Sequence, residues 1–247
     1  MSKKGVTNTD LDKIRRKYIK KPKIINGLTD KIIVYFNNLM SCNNIDKNIK
    51  NLLVNDVNIE KTIRMKELFP TVKSPSETEC IDILSLIWKM PVLANGPSHE
   101  YAWFKNLINM VENIPICITI SSAKKEFFGF PLVYVNKQFE TTTGYNRTED
   151  ILGQSCKFLQ PDEPILEEEP HHVLLSKSLR EGLSTSVILT NIHKNGSPFY
   201  NLLSLKPIFD AEGNYIYCIG IQTEINSDTI SKHRLQNIID VLNILCS

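Results

Sequence analysis

Several things are scarce in this sequence. Its 247 residues carry a formal net charge of only +2, 10 glycines and 8% aromatic side chains. So small a net charge does not call for a polyanionic partner. The longest largely apolar run, Ile114 to Ile120, contains a proline and falls far short of the ~20 residues that span a bilayer. The N-terminus is polar and basic without an apolar core segment, so no signal peptide is expected. Six cysteines (Cys42, Cys80, Cys117, Cys156, Cys218, Cys246) form no C-x-x-C pair, which argues against a disulfide framework or a zinc site. The histidines are dispersed apart from His171-His172, whose only acidic neighbours are Glu167, Glu168 and Glu169, so no metal is expected. Glycine-rich phosphate loops, kinase signatures and nucleophile elbows are missing too, and no enzymatic turnover is expected. These absences leave a soluble chain of a reducing compartment, the cytoplasm.

What is present divides into two textures. With 42% apolar side chains, the chain is long enough for one generous domain or two small ones. Residues 1–100 read as a helical region. Leu28, Ile32, Ile33, Phe36 and Leu39 fall on one helical stripe, and further helices are expected over Ile45 to Val54, Ile59 to Leu68 and Thr78 to Met90. The last opens at Ser76 with Glu79 three positions on, a capping-box pattern. The first 23 residues hold nine Lys and Arg against Asp10 and Asp12, 9 − 2 = +7. A solvated terminus is the simplest reading of that run; nucleic acid gains no support from aromatic interleaving, and membrane contact ranks behind solvation.

From Glu100 the pattern changes to α+β. A helix from Tyr101 to Glu112 leads into strands at Ile116 to Ile120 and Leu132 to Val135, and a helix-rich middle runs from Lys137 to about Arg180. Three strands follow: Ser186 to His193, Phe199 to Ile208 and Tyr215 to Ile225, joined by turns at Lys194-Asn195-Gly196 and Asp210-Ala211-Glu212-Gly213. This sets a domain-sized unit at 101–226. Residues 227–247 read as an amphipathic helix capped at Ser227 or Asp228, with Leu235, Ile238, Ile239, Leu242 and Leu245 on one face.

Strand alternation places Asn191, Asn201 and Gln222 on one covered face, with Leu203 among them. A buried amide without a partner costs roughly 1–3 kcal/mol, so each needs one. Side chains or water supply partners in one reading; a planar heterocycle with alternating donors and acceptors satisfies all three in the other. A second feature is Gly153-Gln154-Ser155-Cys156-Lys157-Phe158-Leu159-Gln160, preceded by Gly144-Tyr145. There Cys156 stands beside a cation, Lys157, and an amide, Gln160.

These segments resemble the LOV subset of PAS domains, flavin-binding blue-light receptors, over roughly residues 102–226. Residues 153–160 are similar to the family's Gly-x-Asn-Cys-Arg-Phe-Leu-Gln signature. Residues 191–202, Asn-Ile-His-Lys-Asn-Gly-Ser-Pro-Phe-Tyr-Asn-Leu, resemble its Asn-Tyr-Arg-Lys-Asp-Gly-x-Pro-Phe-Trp-Asn-Leu block, and Gly220-Ile221-Gln222 its closing Gly-Val-Gln. The resemblance implies a five-stranded antiparallel sheet with short helices around a flavin, FMN or alternatively FAD. It implies that Cys156 adds reversibly to flavin C4a in light. Asn191 and Asn201 would bond the pyrimidine edge, Gln222 would reorient on N5 protonation, Gln160 would hold the ribityl chain and Lys157 the phosphate. Ser155 and Leu203 complete the implied lining. Ser155 stands where the motif has asparagine, Lys157 where it has arginine, and Ser176 where a second phosphate arginine is usual; lysine lacks the bidentate fork. Segment 161–172 has no counterpart that aligns, and the loop from Ser121 to Phe130 is long. Partners implied are the flavin and, through the N- and C-terminal helices, a second copy or an effector protein. A flavin-free PAS interaction module and a thiol or flavin redox sensor using Cys156 with Cys117 or Cys218 are the alternatives.

Overall fold

Residues 32–34, 36–38, 59–94, 96–225 and 232–246 are described by the computed structural model. The basic terminus, the helix expected over Ile45 to Val54 and the Ser227/Asp228 cap lie outside them. Of the first stripe, residues 32–34 and 36–38 are helical, and Phe36 is fully buried.

Among the described residues, three further helices lie ahead of the sheet: α1 (Ile59–Leu68), α2 (Glu77–Trp88) and α3 (Ser98–Val111). α2 starts where its sequence says it should. Glu79 donates its backbone N–H to Ser76 Oγ at 3.2 Å, while Ser76 N–H reaches Glu79 Oε2 at 3.1 Å, so two otherwise orphaned donors are satisfied reciprocally. α3 begins three residues earlier than the apolar pattern alone suggests, because Pro97 sets the entry and Ser98 opens the helix.

The sheet comprises β1 (Cys117–Ser122), β2 (Leu132–Val135), β3 (Thr185–Ile192), β4 (Pro198–Phe209) and β5 (Tyr215–Ile225), all antiparallel in the order β2-β1-β5-β4-β3. Between β2 and β3 lie α4 (Lys137–Thr143), a single π-helical turn at Arg147–Ile151, short 3-10 turns at Cys156–Leu159 and Leu166–Glu168, and α5 (Glu169–Glu181). The β3–β4 and β4–β5 turns each carry a glycine in the left-handed region, Gly196 at φ 86° and Gly213 at φ 84°. A fully α+β arrangement results.

The two faces of the sheet are packed differently. On the outer face Ile118, Ile120, Ile188, Leu202, Tyr217, Ile219 and Ile221 join one continuous core with α2, α3 and α6 (Lys232–Cys246). Leu235, Ile238, Ile239, Leu242 and Leu245 of α6 are all buried there. Aromatic contacts pin α3 to this face: Trp103 stacks on Tyr217 with centroids 5.7 Å apart, and Phe104 meets the same ring edge-on at 5.4 Å. Tyr217 donates its hydroxyl to the buried Glu100 at 3.0 Å, and Lys124 pairs with that carboxylate at 2.9 Å. The other face carries the polar residues and is split, as described next. No described helix is long and apolar enough to cross a membrane.

Candidate functional site

Cross-strand register assembles the inner face residue by residue. Leu203 stands opposite both Val187 and Gln222, Asn201 opposite Leu189, Asn191 opposite Phe199, and Gln222 opposite Cys117. Directly opposed residues project to the same side of a sheet. Asn191, Asn201, Leu203, Gln222, Cys117 and Cys218 therefore share one face, and the three amides are buried to 6%, 2% and 5% exposure.

The amides are bonded to one another. Asn201 Nδ2 donates to Asn191 Oδ1 at 2.8 Å and to Gln222 Oε1 at 2.6 Å. Asn191 Nδ2 donates to the Thr190 carbonyl at 3.2 Å. This spends both Asn201 N–H groups and leaves Asn201 Oδ1, an acceptor, and Gln222 Nε2, a donor, outside the bonds among the three amides.

Apolar packing on this face falls into two separate clusters. One joins Cys117, Leu132, Val135, Phe139, Ile151 and Leu159, with Tyr145, Cys156 and Phe158 partly buried against it. The other joins Leu175, Val187, Leu189, Leu205 and Cys218, with Leu179, Leu203 and Tyr215 partly buried. Gln222 sits at the seam, in register with Cys117 of the first and Leu203 of the second. A face lined by two apolar walls and three amides at their seam fits a flat, apolar-bodied heterocycle with a polar edge. Gly220 is part of that fit: a Cβ there would collide with Thr119 Oγ1.

Cys156 opens the 3-10 turn on the first wall. The turn is fixed to β2 by backbone bonds, Leu132 N–H to Gln154 O and Gly153 N–H to Leu132 O, both 2.8 Å. Gly153 holds φ 84°, which a side chain would strain. Cys156 is half-buried as a residue, yet its sulfur is desolvated: burial, with a smaller effect of Cys218, pushes the thiol up to about 12. Burial likewise raises Cys117 to about 11, and its thiol donates to Thr142 Oγ1 at 3.3 Å. Both are neutral thiols near pH 7. Ser155 and Gln160 are half-buried at the two ends of the turn, and Lys157 is exposed. Lys177 and Arg180 are exposed on α5, whose buried side carries Leu175 and Ser178.

Sequence reasoning missed three residues that hold the site. Asn136, fully buried, accepts from Ile118 N–H and Phe139 N–H and donates to the carbonyls of Val111 and Ile116, locking the ends of α3, β1, β2 and α4 together. Its place before α4 as an N-cap was the available signal. Arg147 and Glu112 form a buried pair at 2.6 Å, to which Tyr134 donates its hydroxyl at 2.6 Å and Glu140 adds a second carboxylate at 3.2 Å. Burial raises the Glu112 carboxyl, with Arg147 opposing that rise; Glu112 in turn keeps the buried guanidinium charged. These ligatures tie the turn ahead of Cys156 to the end of α3. The clefts on the outer surface lie elsewhere, between α1 and α3 around Met65 and Ile114, and between α1 and α6 around Leu68 and Ile244; neither reaches the amides.

Residues 115–227 match the family profile "PAS domain". Among similar curated proteins, Adagio protein 3 of Arabidopsis thaliana is 38% identical over 123 residues, 43% of this chain and 19% of the relative. A protein of Listeria innocua named Blue-light photoreceptor is 35% identical over 98 residues, 40% of this chain and 37% of the relative. Blue-light-activated histidine kinase 1 of Erythrobacter litoralis is 35% identical over 134 residues, 47% of this chain and 35% of the relative. This chain thus spans between about a fifth and somewhat over a third of their length. Among solved structures, the LOV domain of the Erythrobacter litoralis EL346 histidine kinase is 29% identical with a TM-score of 0.41, covering 47% of this chain and 100% of that one. Residues 115–227 of this chain thus match the PAS domain profile, and they are similar to blue-light photoreceptors across the segments whose motifs resemble the LOV subset.

Proposed function

We propose that this chain senses blue light through a flavin, FMN in the first instance, held on the inner face of the sheet, and that Cys156 is the residue that records the light. The amide trio Asn191, Asn201 and Gln222 carries this reading, because it sits at the seam of two apolar walls, one of which bears Cys156. A bound flavin, excited by blue light, supplies an electrophilic ring carbon, C4a, and a basic ring nitrogen, N5.

The residues supply the rest. Cys156 brings its sulfur with the proton still attached, because desolvation holds the thiol at about 12, so nucleophile and proton arrive together. Cys156 would thus offer an excited flavin both a sulfur and a proton, each of which it could take back in darkness. Asn191 and Asn201 orient the heterocycle by its polar edge, and Leu203 packs on its face. Gln222 could answer a change of proton on a bound ring: its amide would turn to offer the other end, and the hydrogen bond from Asn201 would be redrawn. Ser155 and Gln160 flank the Cys156 turn toward the flavin tail, and Lys157 offers the phosphate one charge. Gln222 lies on β5, the strand against which α6 packs, so the terminal helices carry the signal to an effector or a second copy. The chain is then a sensor without turnover of its own.

A titration of flavin-free chain with FMN tests the reading, alongside Cys156→Ala. Expected are tight flavin uptake by both proteins and a light-induced bleach in the native chain alone. Absence of flavin uptake overturns the reading and favours an interaction module; a bleach that persists in Cys156→Ala overturns the role of Cys156.

A further inference from the structure

The acidic run Glu167-Glu168-Glu169 and the pair His171-His172 have no part in the site so far. Both sit where the chain passes the edge of the sheet, since among the described residues β3 pairs only with β4. Edge strands present unpaired N–H and C=O groups that a protein must cover. Here the cover is made of side chains. Glu168 takes Thr190 with both oxygens, Oε2 from the backbone N–H at 2.9 Å and Oε1 from the hydroxyl at 2.6 Å. His171 Nδ1 lies 3.0 Å from the Ile188 carbonyl, which only accepts, so that nitrogen carries the proton. Thr190 N–H and Ile188 C=O belong to alternate residues on the same side of the strand, the side facing away from β4.

The grip leads straight to the pocket. The Thr190 carbonyl accepts from Asn191 Nδ2, Asn191 Oδ1 accepts from Asn201, and Asn201 reaches Gln222. Glu168 holds Thr190 by its N–H and hydroxyl, and the carbonyl of the same residue, in the next peptide group, begins a hydrogen-bonded series through Asn191, Asn201 and Gln222 to the seam. The Asn191 amide is set by that carbonyl and by Asn201, so the backbone conformation of Thr190, which Glu168 fixes from its N–H side, bears on which way the amide faces.

We propose that Glu168 and His171 form a side-chain clamp on the edge of β3, and that Glu168 is a positioning residue that aims Asn191 into the pocket. The clamp itself stands on the bonds above; its consequence for ligand binding rests on the flavin reading. The unalignable stretch 161–172 thus has a task that does not involve the phosphate.

Amide and side-chain resonances of the flavin-free chain separate the two parts. In Glu168→Ala, hydrogen exchange at the Thr190 amide accelerates about tenfold or more and the Asn191 side-chain amide signals shift, because a charged acceptor has been removed. Glu168→Gln keeps one acceptor oxygen and a donor for the hydroxyl, and restores both signals. Thr190→Val, which keeps the N–H and the shape but loses the hydroxyl, shows the Asn191 shift with smaller loss of protection. Unchanged exchange and Asn191 signals in a folded Glu168→Ala overturn the clamp, whether or not flavin binds. With FMN added, Glu168→Ala binds about tenfold more weakly and Glu168→Gln close to the native chain. If Glu168→Ala frees the Thr190 amide while FMN affinity and flavin absorption stay native, the clamp is structural only and the positioning role is overturned.

Discussion

In the proposed role, Cys156 reacts with its proton still attached. Its thiol is held at about 12 by desolvation rather than lowered by a neighbouring cation, the reverse of what a thiolate nucleophile requires. Lys157, next in sequence, is exposed and leaves the sulfur neutral. The yield of the light-induced bleach is therefore flat across the neutral and mildly alkaline range. A sigmoidal change centred near the ordinary thiol value of 9.0 would contradict this account of the sulfur. At this scale the sequence was legible where side chains share one face of the sheet. Asn191, Asn201 and Gln222 announce themselves as amides in apolar strands, and their parity alone puts them together. Glu168 was illegible because its partner is a backbone N–H on the far side of an irregular stretch, and no spacing rule reports such a contact. Asn136 was hidden for a similar reason, since all four of its hydrogen bonds go to main-chain groups.

Among the elements, strands were easier to read than the turns between them. The limits expected for β2 and β5 match those observed, and β3 and β4 each move by a single residue at either end, because hairpin glycines fix register from both sides. The segment from Gly144 to Gln160 is different. It has one turn of π-helix and one of 3-10 helix, neither with a period that a sequence reveals, and what holds it is Arg147. Arg147 also donates its backbone N–H to Glu140 at 2.7 Å, and only its Nε lacks a partner among the described buried side-chain atoms. Arg147→Met leaves the buried Glu112 carboxylate without its counter-charge and with only the Tyr134 hydroxyl as a side-chain partner, and is expected to cost about 3–5 kcal/mol in chemical denaturation. Adding Glu112→Gln to that variant recovers much of the loss. A single-variant cost below about 1 kcal/mol, the range of an exposed pair, would mean the pair does not hold this turn.

For the whole molecule, the sheet divides labour between its faces. The inner face is split and polar at its seam, suited to a ligand; the outer face is one uninterrupted core that includes α3 and α6. Gln222 belongs to the inner face and its neighbours Ile221 and Ile219 to the outer, so a displacement of β5 is felt by both. α6 also packs against α1, so in the proposed role the two helices would act as one output body rather than two independent arms. Amide exchange compared in darkness and under blue light should accelerate in α6 and α1 and leave the β3–β4 hairpin unchanged. Identical exchange in α6 and α1 in both states would rule out this route. Neither the α1–α6 contact nor the continuity of the outer core was visible in the amphipathic stripes, which show that a face is buried without naming what covers it.

The most direct test of the central claim is the visible absorption of the purified chain, loaded with flavin, before and after one pulse of blue light. The account predicts a flavin band that bleaches within the pulse and returns in darkness, because the Cys156 sulfur bonds the ring and then releases it. A band that stays unchanged under illumination would contradict the assignment of Cys156, and a chain that takes up no flavin at all would contradict the reading of the pocket.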